Sequence, residues 1–220
     1  MKAFISFIGV FFINVAQVTD DPVKATESPI EEDPATLEEY EDIAGGVSIW
    51  NNHNGFKKFS EAIRFRESSD RYGITNSHGY LGAYQFGRTA LKDLGLQKYQ
   101  TNKKAFLTDP STQDEAFLRY CMINKFRLRN YIRVFSGRKI AGVHITESGI
   151  LAAAHLVGSQ SVKDWFNSRG KIEPKDAYGT SLKEYLVKFS GFNLDIEASR
   201  KGRLTESAGL FPKYSFEAKI

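Results

Sequence analysis

The chain has 220 residues, 41% hydrophobic and 25% charged, enough for one domain with its own core. A single cysteine, Cys121, excludes a disulfide framework and a cysteine-based zinc site. Residues 1–46 carry two lysines against ten acids while 47–220 carry a net charge of +12, and a basic body points to an anionic partner: nucleic acid, an anionic membrane surface or an acidic polymer.

Residues 1–16 read as a signal peptide. Lys2 supplies the positive start, and Ala3 to Ala16 is an almost wholly apolar run of fourteen residues. That run is short of the ~20 residues a membrane-spanning helix needs, and cleavage is expected after Ala16. An uncleaved anchor is the alternative. Residues 17–46 hold three prolines, ten acids and few apolar residues. Such a segment cannot bury enough surface to fold alone and is expected to be an acidic flexible linker.

The remainder, 47–220, is expected to form one compact, mainly α domain. Phe56, Phe59, Ile63 and Glu67 are spaced three, four and four apart, which is one face of a helix. "YQFGRTALKDLG" reads as a second helix, stopped by Gly95. Residues 109–137 read as one long helix capped by Asp109, with Pro110 in its first turn and Gly137 as its stop. Cys121 falls in its apolar run and is expected to be buried packing. Thr146 caps "ITESGILAAAHLVG", whose Ala-rich face suits close packing, and "SVKDWFNSRG" follows as a short helix. Ser181 and Glu184 stand at capping-box spacing at the head of "SLKEYLVKFSG". No run alternates with period two, so any β structure is expected to be a small element in the loop at 70–82. Residues 192–220 carry no assignable signal.

Glu67 continues an apolar stripe, so it is expected to point inward or into a cleft. A carboxylate beside apolar side chains loses solvation and keeps its proton to higher pH, which suits it to protonate a leaving oxygen. Spacing alone also allows a helix-end carboxylate paired with Arg64, Arg66 or Arg71. The loop that follows is rich in glycine and tyrosine. Gly79 and Gly82 let backbone approach a ligand closely. Tyr72, Tyr80 and Tyr84 offer ring faces and hydroxyls, the combination that sugars need.

These residues carry a resemblance. "ES" at Glu67–Ser68, Asn76, and "GYLGAYQF" at 79–86 resemble, without a gap, the first motif of the soluble lytic transglycosylase family, usually written "GAxGLMQI" at its second half. "AAAHLVGSQSV" at 152–162, followed by "KDWF", resembles its second motif, usually "AAYNAGxxxV". The similarity covers roughly residues 56–166. It implies an α+β lysozyme-like fold with an active-site cleft. Glu67 then matches the catalytic acid/base and Ser68 the residue that helps orient it. Asn76, Tyr80, Gly82, Tyr84, Gln85 and, beyond the motifs, Tyr178 are the expected substrate-binding residues. Tyr84 stands where the family has Met, Asn76 where it has Ser, Leu156 where it has Asn, and His155 where it has Tyr. His155 either hydrogen-bonds Glu67 or is a satisfied core histidine.

The resemblance implies cleavage of the β-1,4 bond between N-acetylmuramic acid and N-acetylglucosamine by one carboxylate, leaving 1,6-anhydromuramoyl ends. A muramidase that uses water needs a second carboxylate. Asp70 and Glu147 are the candidates, Glu147 also reading as a helix-dipole partner. A wall-binding module without catalysis is the third alternative. The expected partner is the peptidoglycan glycan strand, with cell-envelope machinery as a further one. No nucleic acid partner, no cofactor, no metal and no stable membrane span after signal cleavage are expected. The expected protein is an exported monomer, periplasmic or secreted.

Overall fold

A computed structural model describes residues 54–194 of the chain. The segments expected to be a signal peptide (1–16) and an acidic flexible linker (17–46), residues 47–53 and residues 195–220 of the unassigned tail lie outside the described residues. The described chain is mainly helical with one small two-stranded sheet. In chain order it forms α1 (Asn54–Ser68), α2 (Arg88–Asp93), a 3-10 turn (Gln97–Gln100), α3 (Lys103–Leu107), α4 (Pro110–Arg127) and α5 (Arg129–Phe135). Strands β1 (Lys139–Ile140) and β2 (Val143–His144) follow, then α6 (Glu147–Val157), α7 (Ser159–Asn167) and α8 (Leu182–Lys188).

The helix ends follow their side chains. Asp109 accepts from the Thr112 amide, and Thr146 accepts from the Gly149 amide. Ser181 and Glu184 form a full capping box, each side chain satisfying the other's backbone N–H. Two expected elements differ. The long helix is interrupted at Leu128, which is fully buried at φ −109° while hydrogen bonds continue on both sides of it. The helix expected from Tyr84 begins only at Arg88, because Leu81 and Phe86 exchange backbone hydrogen bonds in a tight hairpin first.

The regular β pairing also lies elsewhere than expected. β1 and β2 pair antiparallel at 139–144, whereas 70–82 holds only isolated bridges, Thr75 to Leu81 and Leu81 to Phe86. Two-residue strands are too short to show alternation in sequence.

Helix α6 is the hub. Ser148 to Ala154 are buried, and α4, α7 and α8 pack around them. Gly149 admits α8: a Cβ there would lie 2.6 Å from the Leu186 carbonyl oxygen. On the other side, Phe56, Phe59 and Ile63 of α1 are buried, the two phenylalanines against Phe117, on which the Tyr84 ring stacks at 4.2 Å. Cys121 is buried in this core and burial pushes its thiol pKa up, which keeps it an inert packing group. Leu194 at the end of the described chain is buried too, and Phe192 meets Phe59 edge-on. The first residues beyond α8 therefore seal the start of α1.

Candidate active site

The stripe that buries Phe59 and Ile63 carries Glu67 to the last turn of α1, half-buried and facing a cleft of about 940 Å³. There its Oε1 accepts the hydroxyl proton of Tyr185 at 2.5 Å. Tyr185 lies on α8, in the buried stripe Leu182–Tyr185–Leu186–Phe189, with its ring under the Arg66 guanidinium. Burial and the neighbouring Glu67 carboxylate push its hydroxyl pKa up, so it stays a donor throughout the physiological range. With Oε1 so held, the second oxygen of Glu67 is the one left to exchange a proton with a ligand.

His155 also lines the cleft, from the last turn of α6. Its Nε2 donates to the Tyr84 carbonyl at 3.0 Å, since a carbonyl can only accept. That bond ties the helix of the second motif to the loop of the first. It also selects the tautomer, leaving Nδ1 as an acceptor, buried and without a hydrogen-bond partner among the described residues. Phe86, Phe117 and Tyr120 meet the ring edge-on. Burial lowers the His155 pKa, with the Glu67 carboxylate and the Tyr84 carbonyl opposing the shift. The ring is thus a neutral group that faces Glu67 without bonding to it.

Two turns close the cleft's other side, and they are built alike, one hundred residues apart. In residues 75–81, Asn76 Oδ1 accepts the amides of His78 and Tyr80, and the Asn76 amide donates to the Tyr80 carbonyl. In residues 175–181, Asp176 Oδ1 accepts the amides of Tyr178 and Thr180, and the Asp176 amide donates to the Thr180 carbonyl. Gly79 and Gly179 turn the corner at φ +83° and +84°, and single bridges, Thr75 to Leu81 and Lys175 to Ser181, close each base. The tips touch. His78 and Tyr178 meet edge-on at 4.7 Å, and the Ser77 and Tyr178 hydroxyls are 3.4 Å apart.

No family model, no curated protein and no solved structure matches the chain.

The structure divides the expected site residues. Glu67, Asn76, Tyr80, Gln85, His155 and Tyr178 line the cleft together. Gln85 sits at φ +52° with its amide donating to the Gly82 carbonyl at 2.7 Å. Tyr84, Gly82 and Ser68 do not line it. Tyr84 is 1% exposed, and its hydroxyl donates to Asp114, which also accepts from Tyr72 and Arg64. Its ring belongs to the core rather than to a ligand. Gly82 is buried at φ +74° because a Cβ there would lie 2.0 Å from Gln113 Oε1. Ser68 is buried as well. Its hydroxyl donates to the Arg64 carbonyl and accepts the Arg71 amide, so it shapes the chain after α1 rather than touching Glu67.

Neither expected second carboxylate reaches Glu67. Asp70 is bonded to the Arg64 guanidinium at 2.7 Å, and Glu147 to the Lys125 ammonium at 2.7 Å, both outside the cleft. Glu147 opens α6 and His155 nearly ends it, so their shared face does not bring both to one place: eight residues along a helix are about 12 Å. The other carboxylate among the cleft's lining residues is Asp176. Neither it nor Tyr185 belongs to the motifs that single out Glu67 in the sequence. A tyrosine inside a capped apolar stripe was the one signal available. Gln113 lies outside those motifs too. Fully buried, it accepts the Ala83 amide and donates to the Tyr72 and Phe106 carbonyls, pinning the motif loop to α4. Among the described residues no cluster of His, Cys, Asp and Glu could hold a metal, and no helix is long and apolar enough to cross a membrane.

Proposed function

We propose that the chain is a peptidoglycan lytic transglycosylase, with Glu67 as its acid/base. The carrying observation is the Glu67–Tyr185 pair on the wall of a cleft where, among the described residues, the one other carboxylate is Asp176. Asp176, the other acid there, spends Oδ1 on two backbone amides of its turn. The neutral Asn76 does the same work in the twin turn, so that work does not require a charge.

In the reaction, protonated Glu67 donates to the glycosidic oxygen as its bond to the muramoyl C1 breaks. The carboxylate so formed takes the proton from the C6 hydroxyl while that oxygen bonds to C1. Glu67 ends protonated, no water is consumed, and the product is a 1,6-anhydromuramoyl end. The nucleophile belongs to the substrate, so proximity lowers the barrier without a bound water. Tyr185 holds one carboxylate oxygen in place through both transfers. Arg66, Arg71, Arg88 and Lys103 line the same cleft and favour an anionic polymer. The basic body and the signal-like start are consistent with an exported protein, periplasmic or secreted, that acts on the cell wall.

Mass spectrometry of fragments released from purified sacculi tests this reading. Wild type is expected to release anhydro ends and Glu67→Gln none. Fragments heavier by one water, with reducible ends, would instead make the enzyme a hydrolase. Pelleting with the wall but no fragments from wild type would make it a binding module.

A further inference from the structure

The twin turns complete a closed circuit of contacts that includes Glu67 and borders the cleft. From Glu67 the chain runs to the turn at 75–81. At its tip His78 touches Tyr178, the tip of the turn at 175–181. That turn runs through Ser181 into α8, and Tyr185 returns to Glu67 by its hydrogen bond. Every one of these corners except Ser181 lines the same cleft. The circuit has two non-covalent junctions of different strength. Tyr185 to Glu67 is a hydrogen bond from a buried hydroxyl to a carboxylate. The tip junction is one ring edge, His78 to Tyr178, and one 3.4 Å hydroxyl pair, Ser77 to Tyr178, between exposed side chains, which water can replace at little cost.

We propose that the two turns are a clasp that parts at His78–Tyr178 to admit a linear polymer strand sideways and closes around it, so that the strand runs through the circuit. The inference rests on the reading of the substrate as a glycan strand and deepens it. It makes the tips determinants of strand topology rather than of sugar chemistry. A short ligand would gain nothing from being encircled. A long strand with no nearby free end can enter only if the weak junction opens. The paired Asx turns suit that task. Each carries its own internal hydrogen bonds, so the tips can separate without losing any of them.

A trapping experiment decides it. In a Glu67→Gln background, which leaves strands uncut and whose amide oxygen can still accept the Tyr185 hydroxyl, His78→Cys and Tyr178→Cys are joined by a short bifunctional thiol reagent; Cys121 is buried and inert. Protein bound to intact sacculi and then cross-linked should resist elution by high salt, because the wall is a continuous net and the ring cannot slide off. Protein cross-linked before mixing should fail to bind sacculi yet still bind short glycan fragments, which thread. Salt elution that is the same with and without the cross-link would overturn the clasp while leaving the functional reading intact. No binding to sacculi by the unlinked protein, with no anhydro ends from wild type, would overturn both.

Discussion

Tyr185 on α8 donates its hydroxyl to Glu67 on α1 across 118 residues of chain, and the bond is 2.5 Å long. The carboxylate therefore enters any reaction already oriented, with one oxygen occupied. Tyr185→Phe should keep the fold, since the ring still fills its place against Phe189. It should lower the rate of anhydro-end release. A hydrogen bond to a charged group is worth about 1.5–3 kcal/mol, which corresponds to a loss of roughly 10- to 150-fold if it acts on the transition state. A thermal melt alongside the rate assay separates the two effects. A rate within error of wild type would remove Tyr185 from the mechanism.

Asp176 offers the sharpest distinction between one-carboxylate and two-carboxylate chemistry. Asp176→Asn keeps the turn, because the amide oxygen can accept the Tyr178 and Thr180 amides as Asn76 does in the twin. The rate of product release should stay within a few-fold of wild type. A fall of about 10²-fold or more, the scale expected for a general acid or base, would point to hydrolysis with Asp176 as the second group.

His155 makes stability depend on pH. Its folded pKa lies below the ordinary value of 6.5, so the unfolded chain binds the extra proton more readily than the native one. The stabilisation is complete above the ordinary value and is lost as pH falls through 6.5 towards the lowered one. His155→Phe should flatten the urea-midpoint profile in that window while lowering the midpoint at neutral pH, since the Tyr84 carbonyl loses its donor. A profile unchanged in slope would show that the ring's charging does not limit stability.

Gln113 should matter to stability as much as any apolar core residue. Gln113→Leu leaves the Ala83 amide and the Tyr72 and Phe106 carbonyls without their partner. Each unmet buried backbone group costs ~1–3 kcal/mol, so the denaturant midpoint should fall by an amount equal to several kcal/mol. Activity should fall with it, because the loop carrying Tyr80 and Gln85 is what Gln113 pins. A midpoint equal to wild type would contradict the assignment.

The stripe Phe56–Phe59–Ile63–Glu67 was legible because helical geometry repeats every 3.6 residues whatever surrounds it. The caps at Asp109, Thr146 and Ser181 were legible for a similar reason: a side chain satisfies an amide two or three residues away. Tyr84 shows where this local reasoning stops. On a polar loop beside Tyr80, which lines the cleft, nothing in the sequence tells its ring apart. The hairpin closed by Leu81 and Phe86 sends it into the core, where its hydroxyl donates to Asp114. The twin turns share only a short polar residue and a glycine three positions on, too little to stand out.

What the sequence determined by itself, then, is everything that depends on near neighbours: a mainly helical body, where most helices stop, and one carboxylate delivered to the end of an apolar face. The tertiary packing alone decided who meets that carboxylate. Tyr185 reaches it because Gly149 lets α8 settle against α6, and Asp70 and Glu147 miss it because Arg64 and Lys125 hold them elsewhere. The physical reason is that such meetings depend on how whole elements pack, and no short window of sequence contains both partners.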